Sequence, residues 1–300
     1  MPAVTVAVPG PDAVVDVVDV PVVEPGPRQV RVRVEAAPVT ATDVSALRGR
    51  LPLRPADRYV LGWSLAGVVD AVGADVNDLE PGDPVLAMSD WFETLTGTQA
   101  SSVVLPRTSV GRRPAALGPA EASVVALNAL SAARALDLLD LPVGATLAVT
   151  GAAGSVGGFA IELARHRGLD VLAVAREADR AFVERTGATL AVRGTALDAL
   201  QADGLLDSAV LGAPALAAVR DGGAFVAVTR PATPAPERGI RVTTLAVVSD
   251  AAATEALAVL AADGTITPRV AATYPLRDAS AAYAEVEGGT GRRGGVVLVP

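Results

Sequence analysis

The chain has 300 residues, 51% hydrophobic and 19% charged, with a mean hydropathy of +0.42, which supplies apolar material for two domains with packed cores. Its net charge of −8 comes from 33 acidic and 25 basic residues, and every basic residue is Arg. The absence of Lys excludes Schiff-base chemistry and a phosphate-loop lysine, zero Cys excludes disulfides and thiolate sites, and the lone His166 leaves no imidazole cluster.

Residues 1–117 read as a β-rich unit. Short β-branched runs at 5–8, 14–18 and 29–34 predict strands, the last in strict alternation, and 65–72 continues the pattern. The turn signal Glu80-Pro81-Gly82-Asp83 precedes a short strand at 84–87, and Gly/Pro punctuation of this kind suggests a small barrel. The rhythm then changes. A helix is predicted over 119–139, a strand over 146–150, a helix over 155–167, a strand over 170–175, a helix over 180–186 and a strand over 189–192. Fourth, fifth and sixth strands are expected at 208–211, 224–228 and 241–247, then helices at 251–262 and 279–287 and a closing strand at 295–299. Apolar strands alternating with helices predict a parallel sheet covered on both faces. Gly, Pro or Arg break the apolar runs, so no 20-residue membrane span is expected. The opening MPAVTVAVPGPD has no signal-peptide pattern, and an acidic chain without basic runs is a poor nucleic-acid binder. The expectation is a soluble, cytoplasmic protein whose chemistry comes mostly from a cofactor.

The strand at 146–150 runs into Gly151-Ala152-Ala153-Gly154-Ser155-Val156-Gly157-Gly158 and then a helix. Ala152, Gly154 and Gly157 match the dinucleotide fingerprint with Ala first, and Ala153, Ser155 and Val156 fill it. Small residues let the backbone approach a pyrophosphate, whose charge meets the positive helix N-terminus. An NAD site places a carboxylate at the end of the second strand, but Ala175 stands there, followed by Arg176. Arg176, with Arg180, can meet a 2′-phosphate, or Arg176 is an ordinary solvated loop residue; NADPH is favoured. Gly212, Val228 and Arg230, at the ends of strands four and five, are further cofactor-binding candidates, and the Pro-stiffened loop 229–236 borders the expected cleft.

The chain resembles the medium-chain dehydrogenase/reductase superfamily, in its zinc-independent quinone oxidoreductase-like branch. The resemblance rests on Val39-Thr40-Ala41-Thr42-Asp43, on Leu61-Gly62-Trp63-Ser64-Leu65-Ala66-Gly67-Val68-Val69, on Pro81 to Val85, on the glycine loop and on the tail Arg292 to Leu298. It implies an α/β protein. Residues 1–117 and 248–300 would make a GroES-like β-barrel catalytic domain, and 118–247 a Rossmann domain with a doubly wound parallel sheet binding NADPH. Zinc-dependent relatives carry Cys at the position of Thr40 and His-Glu at Trp63-Ser64, so a zinc alcohol dehydrogenase is excluded on ligand chemistry, and no metal is expected. Zinc-less relatives have Asn near Thr40 and Tyr near Ser45; both are smaller hydroxyl residues here.

The catalytic candidates are accordingly Thr40, Ser45, Tyr59, Trp63 and Ser64. Trp63 either walls a substrate pocket or fills the core, Tyr59 faces the cleft or the core, and Asp43 is either a helix cap or a catalytic acid. His166 is read as complementing a helix dipole. The leading function is NADPH-dependent reduction of an enone, an enoyl group or a quinone. A redox-neutral cyclase-like enzyme and a non-catalytic nucleotide sensor are the alternatives. Hydroxyls are better at orienting than at protonating, so solvent is expected to supply the proton. A small-molecule substrate is expected, and a homodimer built through the apolar edge 241–247.

Overall fold

The computed structural model describes residues 1–289 and 293–300, which leaves Arg292 of the tail outside it. The chain divides into two compact units, Met1–Leu127 with Val248–Asp263 and Pro268–Pro300, and Asn128–Val247 with Gly264–Thr267. The division follows packing rather than chain rhythm. It falls within a helix, not at residue 118, and assigns 264–267 to the second unit.

The first unit contains strands β1 (Pro2–Val6), β2 (Asp16–Asp19), β3 (Gln29–Val39), β4 (Tyr59–Val60), β5 (Ser64–Val72), β6 (Pro84–Met88), β7 (Ser102–Pro106) and β8 (Val110–Arg112). Helix α1 (Ala41–Leu47) follows β3, and the single turn α2 (Trp91–Thr94) follows β6. In β3 the valines at 30, 32 and 34 are buried while Arg31 and Arg33 point outward, so the alternating pattern becomes one core face. Strand β3 pairs antiparallel with both β5 and β7, and β5 turns into β6 through Gly82, whose φ of +103° suits glycine. The valines of β3 pack with Leu65, Val69, Val85, Leu105 and Val110, and a fully buried residue of this type stabilises by roughly 1.5–3 kcal/mol.

Helix α3 (Pro119–Leu139) spans the division. Its 21 residues are long and apolar enough to cross a membrane, which corrects the expectation that no such run exists. In its most apolar 18-residue window 72% is buried inside the protein, as in a core helix.

The second unit holds six strands: β9 (Thr146–Thr150), β10 (Asp170–Ala175), β11 (Thr189–Val192), β12 (Ala202–Asp207), β13 (Val219–Ala227) and β14 (Arg241–Thr244). They form one sheet in the order β11-β10-β9-β12-β13-β14, with every pair parallel. In chain order that is 3-2-1-4-5-6, which puts the topological switch point between β9 and β12. Helices α4 (Ser155–His166) and α5 (Arg180–Arg185) follow β9 and β10. The fourth strand lies at 202–207, not 208–211. Ser208 to Leu211 form a loop in which Val210 has φ +59°, a conformation that no strand allows. Strand β13 begins at Val219, ahead of the expected 224, and β14 ends at Thr244 rather than 247.

The remaining segments are α6 (Ala251–Ala262), β15 (Val270–Pro275), α7 (Ala279–Gly288) and β16 (Gly295–Val299). Strand β16 pairs antiparallel with the far half of β3, setting Val297 opposite Pro38, so the C-terminal segment completes the first unit's larger sheet.

Candidate functional site

In the second unit, β9 ends at Thr150 and the chain reverses through Gly151 at φ +61°. Ala152 and Ala153 are buried, and Gly154 is the N-cap of α4, which begins at Ser155 with Val156 and Gly157 in its first turn. A Cβ on Gly157 would lie 2.3 Å from Gly151 O, so glycine is what lets α4 cross the end of β9 this closely. Gly154 offers the first turn no side-chain acceptor. The amides of a helix start, with the positive end of its dipole, suit an anionic pyrophosphate. The loop therefore fits a dinucleotide.

Strand β10 ends at buried Ala175, and Arg176 follows with half its side chain exposed and its Nε 3.6 Å from Asp179 Oδ2. Arg180 does not join it. Its guanidinium binds Glu177 at 2.6 and 2.8 Å and Glu184 at 3.2 Å, and these carboxylates, Glu177 foremost, raise its pKa further. With both neighbours already satisfying it, Arg180 is corrected to a surface ion pair, and Arg176 remains the phosphate candidate.

The switch point holds a group that the sequence reading missed. Asp207, wholly buried at the end of β12, accepts the Thr150 hydroxyl at 2.6 Å and the Gly212 amide at 2.8 Å. Thr150 Oγ1 in turn accepts the Ala209 amide at 3.0 Å, and the Ser208 hydroxyl donates to Thr150 O. Gly212 has φ +70° and ψ −138°, so the loop 208–212 closes in a glycine-dependent conformation beside the glycine loop. Val228, just past β13, is half-buried, and Arg230 beyond it is exposed.

In the first unit, Thr40 is the N-cap of α1, and its backbone N–H and hydroxyl both donate to Asp43 Oδ2, at 2.7 and 2.6 Å. The Asp43 amide returns a 3.3 Å bond to Thr40 Oγ1, which completes a capping box. Asp43 is wholly buried, and desolvation pushes its pKa up to about 7 against the opposing pull of the Thr40 hydrogen bonds and the Gly62 amide.

The other catalytic candidates are tied elsewhere. Ser45 donates to Ala41 O at 2.8 Å, Tyr59 to Arg54 O at 2.8 Å, and buried Ser64 to Ser123 O at 3.1 Å. Trp63 is 3% exposed and packs against Trp91 with the rings tilted by 41° and centroids 4.5 Å apart, with Phe92 at 5.7 Å, in the core that also holds the Tyr59 ring. Tyr59 and Ser64 are therefore corrected to buried residues whose hydroxyls serve the protein's own backbone, and Trp63 to a residue of the aromatic core. A buried indole and two hydroxyls at Thr40, Trp63 and Ser64 do not fit a zinc ion. His166 is exposed in the last turn of α4 beside Arg165.

Comparisons with known proteins agree with this geometry. Residues 26–115 match the family described as alcohol dehydrogenase GroES-like domain, and residues 177–298 the family described as zinc-binding dehydrogenase. The chain is 34% identical over 169 residues to a mitochondrial enoyl-[acyl-carrier-protein] reductase of Arabidopsis thaliana, covering 56% of this chain and 44% of that one. It is 38% identical over 147 residues to the pikromycin polyketide synthase component PikAII of Streptomyces venezuelae, covering 49% of this chain and 4% of the synthase. The matches thus span less than two thirds of the length of these curated relatives. In fold, the quinone oxidoreductase of Coxiella burnetii superposes with a TM-score of 0.89 at 22% identity, covering 100% of this chain and 99% of that one. Two family matches, one in each half of the chain, and a 3-2-1-4-5-6 sheet opening on a glycine loop lead to one assignment: the chain belongs to the medium-chain dehydrogenase/reductase superfamily.

Proposed function

We propose that the protein is an NADPH-dependent, zinc-independent reductase of an activated C=C bond or a quinone. The observation that carries the cofactor assignment is the end of β10, where buried Ala175 removes the ribose-binding acid and half-exposed Arg176 supplies a cation. The relative named as an enoyl-[acyl-carrier-protein] reductase supports the reaction class.

Ser155, Val156 and Gly157, in the first turn of α4, would hold the pyrophosphate through backbone amides, with Ala152, Ala153 and Gly154 shaping the loop, and Arg176 would hold the 2′-phosphate. Gly212, closing the loop after β12, and Val228, just past β13, would border the remainder. Bound there, the cofactor supplies the hydride. The chain's own contribution is positioning. The Asp207 network fixes the loop 208–212, and the glycine loop keeps side chains off the pyrophosphate path. The residues at the zinc-ligand positions offer no metal site, so substrate polarisation falls to hydrogen bonds.

The test is NADPH oxidation with a panel of small enones and quinones, with and without a chelator, followed by product analysis. Saturated or hydroquinone product formed one-for-one with NADPH loss, and unaffected by chelation, supports the reading. Bound NADPH with no oxidation across the panel favours a redox-neutral enzyme or a sensor.

A further inference from the structure

The capping box of α1 carries one contact more than capping requires. A reciprocal box uses the threonine oxygen as acceptor and the acid as acceptor from the cap's backbone amide. Here the Thr40 hydroxyl also gives its only proton to Asp43 Oδ2, at 2.6 Å. While the carboxylate is ionised, Thr40 therefore presents an acceptor and no donor. We propose that Asp43 is a positioning residue that governs Thr40: when the carboxyl is protonated, its O–H turns to Thr40 Oγ1 and frees the threonine proton for the carbanion or oxyanion that hydride addition leaves on the substrate.

The surroundings of Asp43 favour such a role. It is wholly buried, and its second oxygen, Oδ1, has no hydrogen-bond partner. The groups acting on it are Thr40, the Gly62 amide, its own backbone amide and, from α7, Tyr283, whose own hydroxyl donates to Gln99 Oε1 at 2.8 Å. None of these is a cation. Burial without a counter-charge places the carboxyl near half-protonation at neutral pH, about 7, so both directions of the hydrogen bond are populated. Thr40 is half-buried at the helix start, the outer member of the pair.

This rests on the reductase reading, with a reduced nicotinamide dinucleotide as the source of the hydride. In the proton step, the Thr40 O–H bond breaks as a C–H or O–H bond forms on the substrate. The Asp43 Oδ2–H bond breaks as the Thr40 O–H bond re-forms, leaving Asp43 ionised. Water returns a proton through Thr40 by the reverse path. Threonine thus passes a proton on without becoming an alkoxide, which answers the objection that its pKa is too high for a general acid.

The experiment combines carboxyl NMR titration of protein labelled with 13C-aspartate and pH–rate profiles of wild type, D43N, T40V and T40S. The amide introduced by D43N retains an acceptor for the Thr40 backbone N–H, and the valine introduced by T40V retains the β-branched shape. Asp43 is expected to titrate near pH 7, and higher in T40V, which loses a bond to the ionised form. The wild-type rate should fall tenfold per pH unit above that midpoint. D43N and T40V should lose on the order of 100-fold and the pH limb with it, while T40S stays near wild type. An Asp43 midpoint in the ordinary carboxylate range overturns the proposal, as does D43N with the wild-type rate and limb. A protein that binds NADPH but reduces nothing refutes the reductase reading and this role with it, whereas a reductase indifferent to both substitutions refutes the dyad alone.

Discussion

Replacing Gly157 by Ala sets two effects against each other, and the structure decides between them. In the first turn of α4, Gly→Ala gains at most about 1 kcal/mol from propensity. The new Cβ, however, would stand 2.3 Å from Gly151 O, 2.9 Å from Gly151 C and 2.9 Å from Ser208 Oγ. Two of those atoms are backbone and cannot swing aside, so α4 must move off the end of β9. Overpacking of this kind costs about 1–3 kcal/mol, and two backbone contacts put it at the upper end. The net expectation is a loss of about 1–2 kcal/mol and a Tm lower by several degrees. NADPH affinity should fall about tenfold or more, because the loop whose amides receive the pyrophosphate moves with the helix. Gly154→Ala supplies the graded comparison, since its Cβ meets a single atom at 3.0 Å and should cost less. Differential scanning calorimetry and calorimetric titration with NADPH measure both effects. A Gly157→Ala protein at least as stable as wild type, with unchanged affinity, would show that α4 does not need this close approach.

Arg176→Ala should weaken NADPH roughly tenfold to a hundredfold relative to NADH, the value of one charge-assisted phosphate contact of about 1.5–3 kcal/mol. Arg180→Ala, which removes a group already bound by Glu177 and Glu184, should leave that selectivity intact, as parallel titrations would show. Asp43 contributes a pH dependence of stability. Its pKa of about 7 when folded lies above the unfolded 3.8, so its stabilisation is complete below pH 3.8, declines as pH rises and is gone above about 7. Urea unfolding from pH 4 to 8 should show wild type losing on the order of a few kcal/mol more than Asp43→Asn across that window. Strand β14 is the edge of the parallel sheet, and we expect it to pair with its copy in a homodimer; a monomer mass by light scattering at micromolar protein would contradict this.

The sequence exposes some of this architecture better than the rest. Strands β9, β10 and β11 are apolar runs between helices, and their bounds match the reading residue for residue. Strand β12 hides because Asp203 and Asp207 make it look like a turn. The groups that satisfy them, the Thr146 amide and the Thr150 hydroxyl, lie 57 residues away in sequence. The same distance conceals the switch-point network, although an acid ending the run Leu205-Leu206-Asp207 was a readable signal. Arg180 was readable as well, since acids at i−3 and i+4 on a helix form ion pairs. Hydroxyl roles were not readable. Whether Tyr59 or Ser64 faces a substrate or a backbone carbonyl depends on contacts such as Ser64 with Ser123, which no local pattern encodes.

Hydride transfer from NADPH to an electron-poor double bond is tested by following the isotope. Each of the two C4-deuterated NADPH epimers would be incubated with the protein and a small enone, and the product analysed by mass spectrometry and NMR. A single deuterium on the β-carbon of the saturated product is expected from one epimer only, with chelator present throughout. Saturated product carrying no deuterium from either epimer, or deuterium transfer that stops when metal is removed, would contradict it.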